Sequence, residues 1–223
     1  MATEAALSQS VEEYLEAIHR LSRAPGGVST TGLAQQVGVT PASVTGMLRR
    51  MSEMGLIAYR KYRDISLTAR GQRRARDIIR RHRLAERLLT DVLGVPLEQA
   101  HDEACRLEHA FSPNLVTRIS DTLGDPEACP HGHPIDAAAE DPSVPLSEAA
   151  LNTALVIARL DEESPEVVRY LVERNLLPGA RVRVKLREPL GESVVVEVAG
   201  KTHTLGPRLA ATVRVRKPKR RAR

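Results

Sequence analysis

The sequence predicts a mainly α-helical chain with a small β domain: an N-terminal winged helix-turn-helix, a helical middle domain and a C-terminal SH3-like barrel. Three observations predict it. Apolar residues recur at helical spacing through most of the chain up to Leu123. Two of those helices are joined by the tight turn Gly38-Val39-Thr40 and followed by two short apolar runs around a basic tip. Beyond Pro145 the period shortens to strand-like alternation, as in Val182, Val184 and Leu186 or Val213 and Val215. The domains are expected at residues 1–72, 73–143 and 144–223.

The elements follow in order. Ser10 and Glu13 have the form of a capping box, and Val11, Tyr14, Leu15, Ile18 and Leu21 then mark one helical face. Ala24-Pro25-Gly26-Gly27 ends that helix. A short helix from about Thr31 to Val37 stops at Gly38. Thr40-Pro41 opens a third, because Thr is a good N-cap and Pro is pre-set for the first helical position. Val44, Leu48 and Met51 mark its buried face, and Gly55 closes it. Helix, tight turn and helix make a helix-turn-helix. Leu56–Tyr59 and Ile65–Leu67 are strand candidates, and Arg60, Lys61, Tyr62, Arg63 and Asp64 between them form the basic tip of a wing. A long helix is expected from about Ala69 to Leu93, then helices at about 97–110 and 113–123. Asp125 to Pro145 reads as a loop or linker. Strands are expected at Thr153–Leu160, Arg181–Leu186, Val194–Val198 and Thr212–Arg216, with a helix from Pro165 to Arg174. The tail from Lys217 to Arg223 is basic and expected to be disordered.

Charge narrows the function classes. The formal net charge of +5 conceals blocks of opposite sign. Residues 41–90 hold 13 Lys/Arg against 4 Asp/Glu, residues 91–175 hold 5 against 17, and the last 48 residues hold 13 against 3. A basic block beside an acidic one reads as a polyanion-binding segment next to something that attracts cations. Phe111, Tyr14, Tyr59, Tyr62 and Tyr170 are the only aromatics, too few for the stacking platforms of a single-strand binder. No apolar run approaches a membrane span and no charged start leads into an apolar signal core, so a cytoplasmic protein with no membrane partner is expected. Two cysteines, Cys105 and Cys129, are too few for a disulfide framework.

The segment 97–110 carries the sharpest chemical signal. His101, Cys105, Glu108 and His109 share one helical face. His82 and Glu86 share a face of the preceding helix, and Glu13 and Glu16 lie three apart on the first. Imidazole, carboxylate and thiolate together suit a first-row divalent metal better than calcium. A solvated charged helix, with Cys105 as a small core residue, is the plainer reading of any one of these residues alone. Cys129, His131 and His133 also have metal-like spacing, but Pro130 and Gly132 between them favour a surface loop, and no second paired cysteine motif completes a zinc site. Gly200-Lys201-Thr202 resembles the end of a P-loop without its earlier glycine, since position 195 is valine.

On these residues the chain resembles the DtxR/MntR family of metal-dependent transcriptional repressors. The stretches from His82 to Asp91 and from His101 to His109 are similar to the family's iron branch almost residue for residue. The resemblance covers about residues 8–145 and, more weakly, the SH3-like end, which is similar to the family's FeoA-like third domain. It implies a homodimer built on the helices of residues 70–123, double-stranded operator DNA as partner, and two metal sites per chain. Carried over by position, Glu13, Cys105, Glu108 and His109 would form the effector site, and His82, Glu86 and His101 the ancillary one. The iron branch has methionine where Glu13 stands, whereas the manganese branch has acids at the positions of Glu13 and Glu16 and a carboxylate in place of Cys105. The ligand set is thus a hybrid. A hard carboxylate in place of a soft thioether tilts it toward Mn2+, with Fe2+ as the alternative, and Zn2+, Co2+ or Cd2+ able to occupy the sites in vitro.

Thr40, Pro41, Ala42, Ser43, Thr45 and Gly46 begin the recognition helix, where side chains reach bases and phosphates. They are small, which favours shape readout and contact with thymine methyls. Arg49, Arg50, Arg60, Lys61 and Arg63 are the phosphate-contact candidates. The expected function is that of a metal-dependent DNA-binding regulator, a repressor of metal-uptake genes, with no enzymatic activity and no small-molecule substrate. A metal-dependent hydrolase would need an open coordination position and a general base, and would leave the helix-turn-helix unexplained. A metal storage or delivery protein would bind the cation without DNA.

Overall fold

Residues 7–23, 26–59, 65–139, 141–161, 164–188 and 193–218 are described by a computed structural model of the chain. They fall into two units: one holds the residues through His82 together with Glu108–Phe111, the other Arg83–Leu107 together with the residues from Ser112 onward.

In the first unit, α1 (Gln9–Leu21), α2 (Thr30–Val37) and α3 (Pro41–Glu53) precede an antiparallel hairpin of β1 (Ile57–Tyr59) and β2 (Ile65–Leu67). The start of α1 differs from the expected capping box. Ser8 is the N-cap, without a side-chain capping bond, and Ser10 already lies inside the helix. The other two helices are capped as their sequences require. Ser29 Oγ accepts from the Gly32 N–H at 3.0 Å and Thr40 Oγ1 from the Ser43 N–H at 3.3 Å. Between α2 and α3 the chain turns at Gly38, whose φ of 70° is open to glycine at no steric cost. Val11, Leu15, Ile18, Leu33, Val44, Leu48, Met51 and Leu56 are removed from solvent and form the core of this unit. The wing tip with Arg60, Lys61 and Arg63 lies outside the described residues.

Thr68 joins the hairpin to α4 (Ala69–Arg87). Its hydroxyl donates to the Gly55 carbonyl at 2.7 Å and accepts from the Gly71 N–H at 3.1 Å. The expected long helix does not stay α-helical to Leu93, because Leu88–Val92 winds as a π-helix. α5 (Leu97–Leu107) likewise tightens into a 3-10 turn at Glu108–Ala110, so the candidate ligands of residues 101–109 do not keep one α-helical register. α6 (Pro113–Thr122) follows, capped by Ser112.

The remaining elements are β3 (Val144–Pro145), β4 (Ala154–Leu160), α7 (Pro165–Glu173), β5 (Arg181–Arg187), β6 (Val194–Val198), β7 (Lys201–Leu205), α8 (Pro207–Thr212) and β8 (Val213–Arg216). The six strands make one antiparallel sheet in the order β3-β8-β4-β5-β6-β7. Alternate residues such as Ile157, Val182, Val184, Val196, Val213 and Val215 fill its core. β3, β7 and α8 have no counterpart among the expected elements. β7 is polar except for Leu205 and is specified by its pairing with β6, where Val194 faces Leu205 and Val196 faces His203. Among the described residues no helix is long and apolar enough to cross a membrane.

Gly71 marks the tightest backbone approach in the first unit: a Cβ there would sit 1.9 Å from the Leu56 carbonyl oxygen. Gly71→Ala must push the start of α4 off the hairpin, at about 1–3 kcal/mol for an overpacked site. A melting temperature lower by roughly 3–10 °C is expected in calorimetry.

Candidate metal centre

The first turn of α3 is open to solvent. Thr40, Pro41, Ala42, Ser43 and Gly46 are exposed, Thr45 is half-buried, and Arg49 and Arg50 extend the same helix as exposed cations. Thr45 Oγ1 donates back to the Pro41 carbonyl at 3.1 Å, and the Thr40 and Ser43 hydroxyls lie 3.0 Å apart. Val44, Leu48 and Met51 hold the opposite face in the core. The exposed face of the helix therefore carries small side chains first and cations toward its C-terminal end.

In the same unit a chain of charged groups links α1 to the 3-10 turn. His82 Nδ1 lies 2.7 Å from Glu108 Oε2, and the other Glu108 oxygen lies 3.4 Å from His109 Nε2. His109 Nδ1 in turn lies 2.7 Å from Glu12 Oε2. Arg81 closes the set, donating to Glu12 Oε1 at 2.6 Å and to the Glu108 carbonyl at 3.2 Å. Burial raises the Glu108 carboxyl above its ordinary range; the hydrogen bond from His82 opposes this, and the nearby Glu16 carboxylate adds to it. Glu12 and Glu16, four residues apart, share the face of α1 turned to this cluster. Glu13 is a third of a turn away and accepts instead from Gln9 Nε2 at 3.0 Å. The structure thus joins Glu16, His82, Glu108 and His109 and adds Glu12, which the sequence reading passed over. The signal available for Glu12 was its i, i+4 spacing to Glu16.

The second unit holds another constellation. Cys105 Sγ lies 3.6 Å from His101 Nε2, and His101 Nδ1 lies 3.9 Å from Glu86 Oε1. Glu86, Cys129 and His131 are all buried, with their donor atoms within 4.8 Å of one another. The loop of Cys129 and His131 is therefore not the surface loop expected from its prolines and glycine. It is fastened on two sides. Arg87 Nε donates to the Ala128 carbonyl at 2.8 Å, and Arg83 donates to the Pro134 carbonyl. On the other side, the Leu160 N–H donates to the His131 carbonyl at 2.9 Å, and His133 Nε2 meets the Leu160 carbonyl at 2.9 Å. Burial, followed by the Arg83 charge, lowers the His133 pKa to about 4, so its ring stays neutral near pH 7. Gly132 sits where a Cβ would fall 2.2 Å from the Ala158 carbonyl oxygen, so only glycine lets the loop lie this close to β4.

The donor chemistry fits a cation here. Both ring nitrogens of His131 are buried without a hydrogen-bond partner. Nδ1 is only 3.0 Å from Glu86 Oε1, yet the two are not aligned for a hydrogen bond. Burial, then the Glu86 charge, pushes the Cys129 thiol well up, so without a cation this sulfur stays protonated. An imidazole, a carboxylate and a thiol sharing one buried point are the ligand types of a transition-metal site.

The chain is similar to known proteins along most of its length. Residues 6–65 match the family model described as the iron dependent repressor N-terminal DNA binding domain. Residues 68–137 match the iron dependent repressor metal binding and dimerisation domain, and residues 144–217 the FeoA domain. The iron-dependent repressor IdeR of Mycobacterium leprae (strain TN) is 31% identical over 227 residues, covering 95% of this chain and 98% of that protein. A solved structure of a manganese-dependent transcriptional repressor in complex with manganese superposes with a TM-score of 0.87 at 31% identity, covering 93% of this chain and all of that one. ScaR with bound Zn2+ superposes with a TM-score of 0.80 at 29% identity, over 93% of this chain and 99% of the other. In sequence and in fold, the chain belongs to the iron-dependent repressor family of metal-dependent transcriptional repressors.

Proposed function

We propose that Mn2+, with Fe2+ as the alternative, is the effector that brings this metal-dependent repressor to its operator, and that the genes it silences serve metal uptake. The observation that carries the metal reading is the buried His131 ring, which makes no hydrogen bond through either nitrogen although Glu86 and Cys129 lie beside it. Glu86, Cys129 and His131 would hold one cation, with His101 and Cys105 extending that set. Glu12, Glu16, Glu108, His109 and His82 would hold a second. Carboxylates outnumber thiols across these residues, which favours Mn2+ and Fe2+ over softer ions. The relative solved with manganese supports the same choice. A bound cation would supply positive charge that neutralises the carboxylates and lets Cys129 ligate as thiolate.

The chain's own residues suggest how this reaches DNA. α1 carries Glu12 and Glu16 on one face and core residues Val11, Leu15 and Ile18 on another, and it packs against α2, which packs against α3. Holding Glu12 and Glu16 to the Glu108–Ala110 turn therefore holds the helix-turn-helix. In a homodimer the two recognition helices must match half-sites about one DNA turn apart. Exposed Val92, Leu93 and Leu115 are candidates for the dimer contact. Domain limits at 1–72, 73–143 and 144–223 remain our division by role. The family consists of repressors rather than enzymes, which disposes of the hydrolase reading.

Chelation should weaken operator binding at least tenfold, about 1.4 kcal/mol of coupling, and manganese should restore it. Equal operator affinity in chelator and in manganese, measured by fluorescence anisotropy, would overturn metal activation and leave the storage reading.

His131→Gln and Cys129→Ser should each weaken one metal equivalent at least tenfold in calorimetry, since even supporting partners of a ligand change affinity by about 10–100-fold. Glu12→Gln should weaken the other equivalent and spare the first. Unchanged metal binding in both loop variants would make the loop structural only.

Arg49→Ala should weaken binding to all duplexes alike and make the log–log salt dependence shallower by about one unit. A slope equal to that of the parent protein would remove Arg49 from the phosphate contacts.

A further inference from the structure

The outer face of the C-terminal sheet has no part in the site described above, and its charge is one-sided. β5 alternates from Arg181 to Lys185: Val182 and Val184 point into the core, while Arg181, Arg183 and Lys185 are exposed. The expected alternation ends there, because a register shift between Val184 and Leu186 leaves Leu186 exposed. Register carries the pattern across three strands. Val156 of β4 is paired with Arg181 on one side and with Arg216 of β8 on the other, so both arginines emerge on the face that Val156 shares. Arg183 faces Ala154 on β4 and Glu197 on β6. Glu197 is the one acid paired into this array, and Lys185 meets it at 3.0 Å. Among the described residues no carboxylate pairs with Arg181 or Arg216. Between the cations of β5 and β8 stand Ala154 and Val156 of β4, small side chains that leave the face low, and Thr202 and Thr204 lie beyond Glu197 on the edge strand β7. Exposed Lys217 follows Arg216 directly, and the sequence continues with Lys219, Arg220, Arg221 and Arg223.

We propose that this face, formed by Arg181, Arg183, Lys185 and Arg216, is a second contact for the phosphate backbone of double-stranded DNA. Cations two residues apart on a strand stand about 7 Å apart, and those two strands apart about 10 Å, so several phosphates can be neutralised together. The face has no aromatic side chain on which an unpaired base could stack, which favours duplex over single strands. Charge complementarity selects the occupant. The family's partner is DNA, and a duplex held by the recognition helices is presented to the rest of the same chain at high effective concentration. The inference rests on DNA as the partner but not on which metal activates the protein.

The test uses the full chain carrying Arg181→Gln, Arg183→Gln, Lys185→Gln and Arg216→Gln, against a duplex of random sequence in chelator and an operator duplex in manganese. Salt titration by anisotropy should give a log–log slope shallower by about two to four units than the parent protein on the random duplex, at about 0.9 per phosphate lost. Lysine at the three arginine positions should restore most of that slope. The tenfold manganese response on the operator should persist in every variant, because none of these residues belongs to the metal clusters. Should the fourfold variant fail to fold, Arg181→Gln with Arg216→Gln is measured in its place, with half the expected change. Equal slopes for the parent and variant proteins overturn the proposal. So does a change of oligomeric state with DNA binding unaltered, which would assign the face to a second copy of the chain. Loss of the manganese response in the parent protein, with the slope difference intact, would instead sink the activation reading and leave this one standing.

Discussion

Burying a carboxylate requires a partner, and that requirement organises both candidate metal clusters of this protein. Glu86 and Glu108 are almost wholly removed from water, and an ionised carboxylate left alone there would be prohibitively unstable. Glu108 meets His82 and His109. Glu86 meets His131 and, more distantly, His101. Imidazole is the one side chain that can balance a carboxylate with a proton or join it as a ligand of the same cation. A cluster so composed is receptive to a divalent ion.

Around each cluster, ordinary structural devices supply the aim. In the second unit, Arg83 and Arg87 lie one turn apart on α4 and grasp carbonyls at the two ends of the loop. β4 takes the backbone between them, and Gly132 allows the approach. With its carbonyls occupied outward, the loop turns Cys129 and His131 inward to Glu86. In the first unit α1 works on two faces. One is core, and the other carries the carboxylates, so a force on Glu12 or Glu16 is a force on the helix that supports the helix-turn-helix.

The C-terminal sheet separates its duties by the strand period. Inward residues of β5, β6 and β8 are nearly all valine, and outward residues of β5 and β8 are nearly all cations. A core of this kind would tolerate many outward residues, and Thr or Glu would serve the sheet as well as Arg. The fold itself therefore does not require the outward charge, and interaction with a polyanion gives it a physical purpose.

Much of this was legible locally. The cap at Thr40, the turn at Gly38, the helical stripe of α1 and the alternation of Val182 and Val184 in β5 are set by neighbours within a few residues, so the sequence alone determined the helix-turn-helix, its hairpin and most of the later elements. Ligand types were legible for the same reason, as was the family. What the sequence could not decide was convergence over distance. Glu12 rather than Glu13 faces His109, 97 positions away, because each residue turns an α-helix by about 100° and tertiary packing selects the face. Cys129 and His131 join Glu86 because two arginines and a strand fold their loop inward, against the surface preference of its prolines and glycine. β7, polar along most of its length, is a strand only because β6 offers it a register. Local sequence determined the backbone units; only the tertiary structure decided which side chains meet, since contact energies between distant residues exist only once the chain has packed.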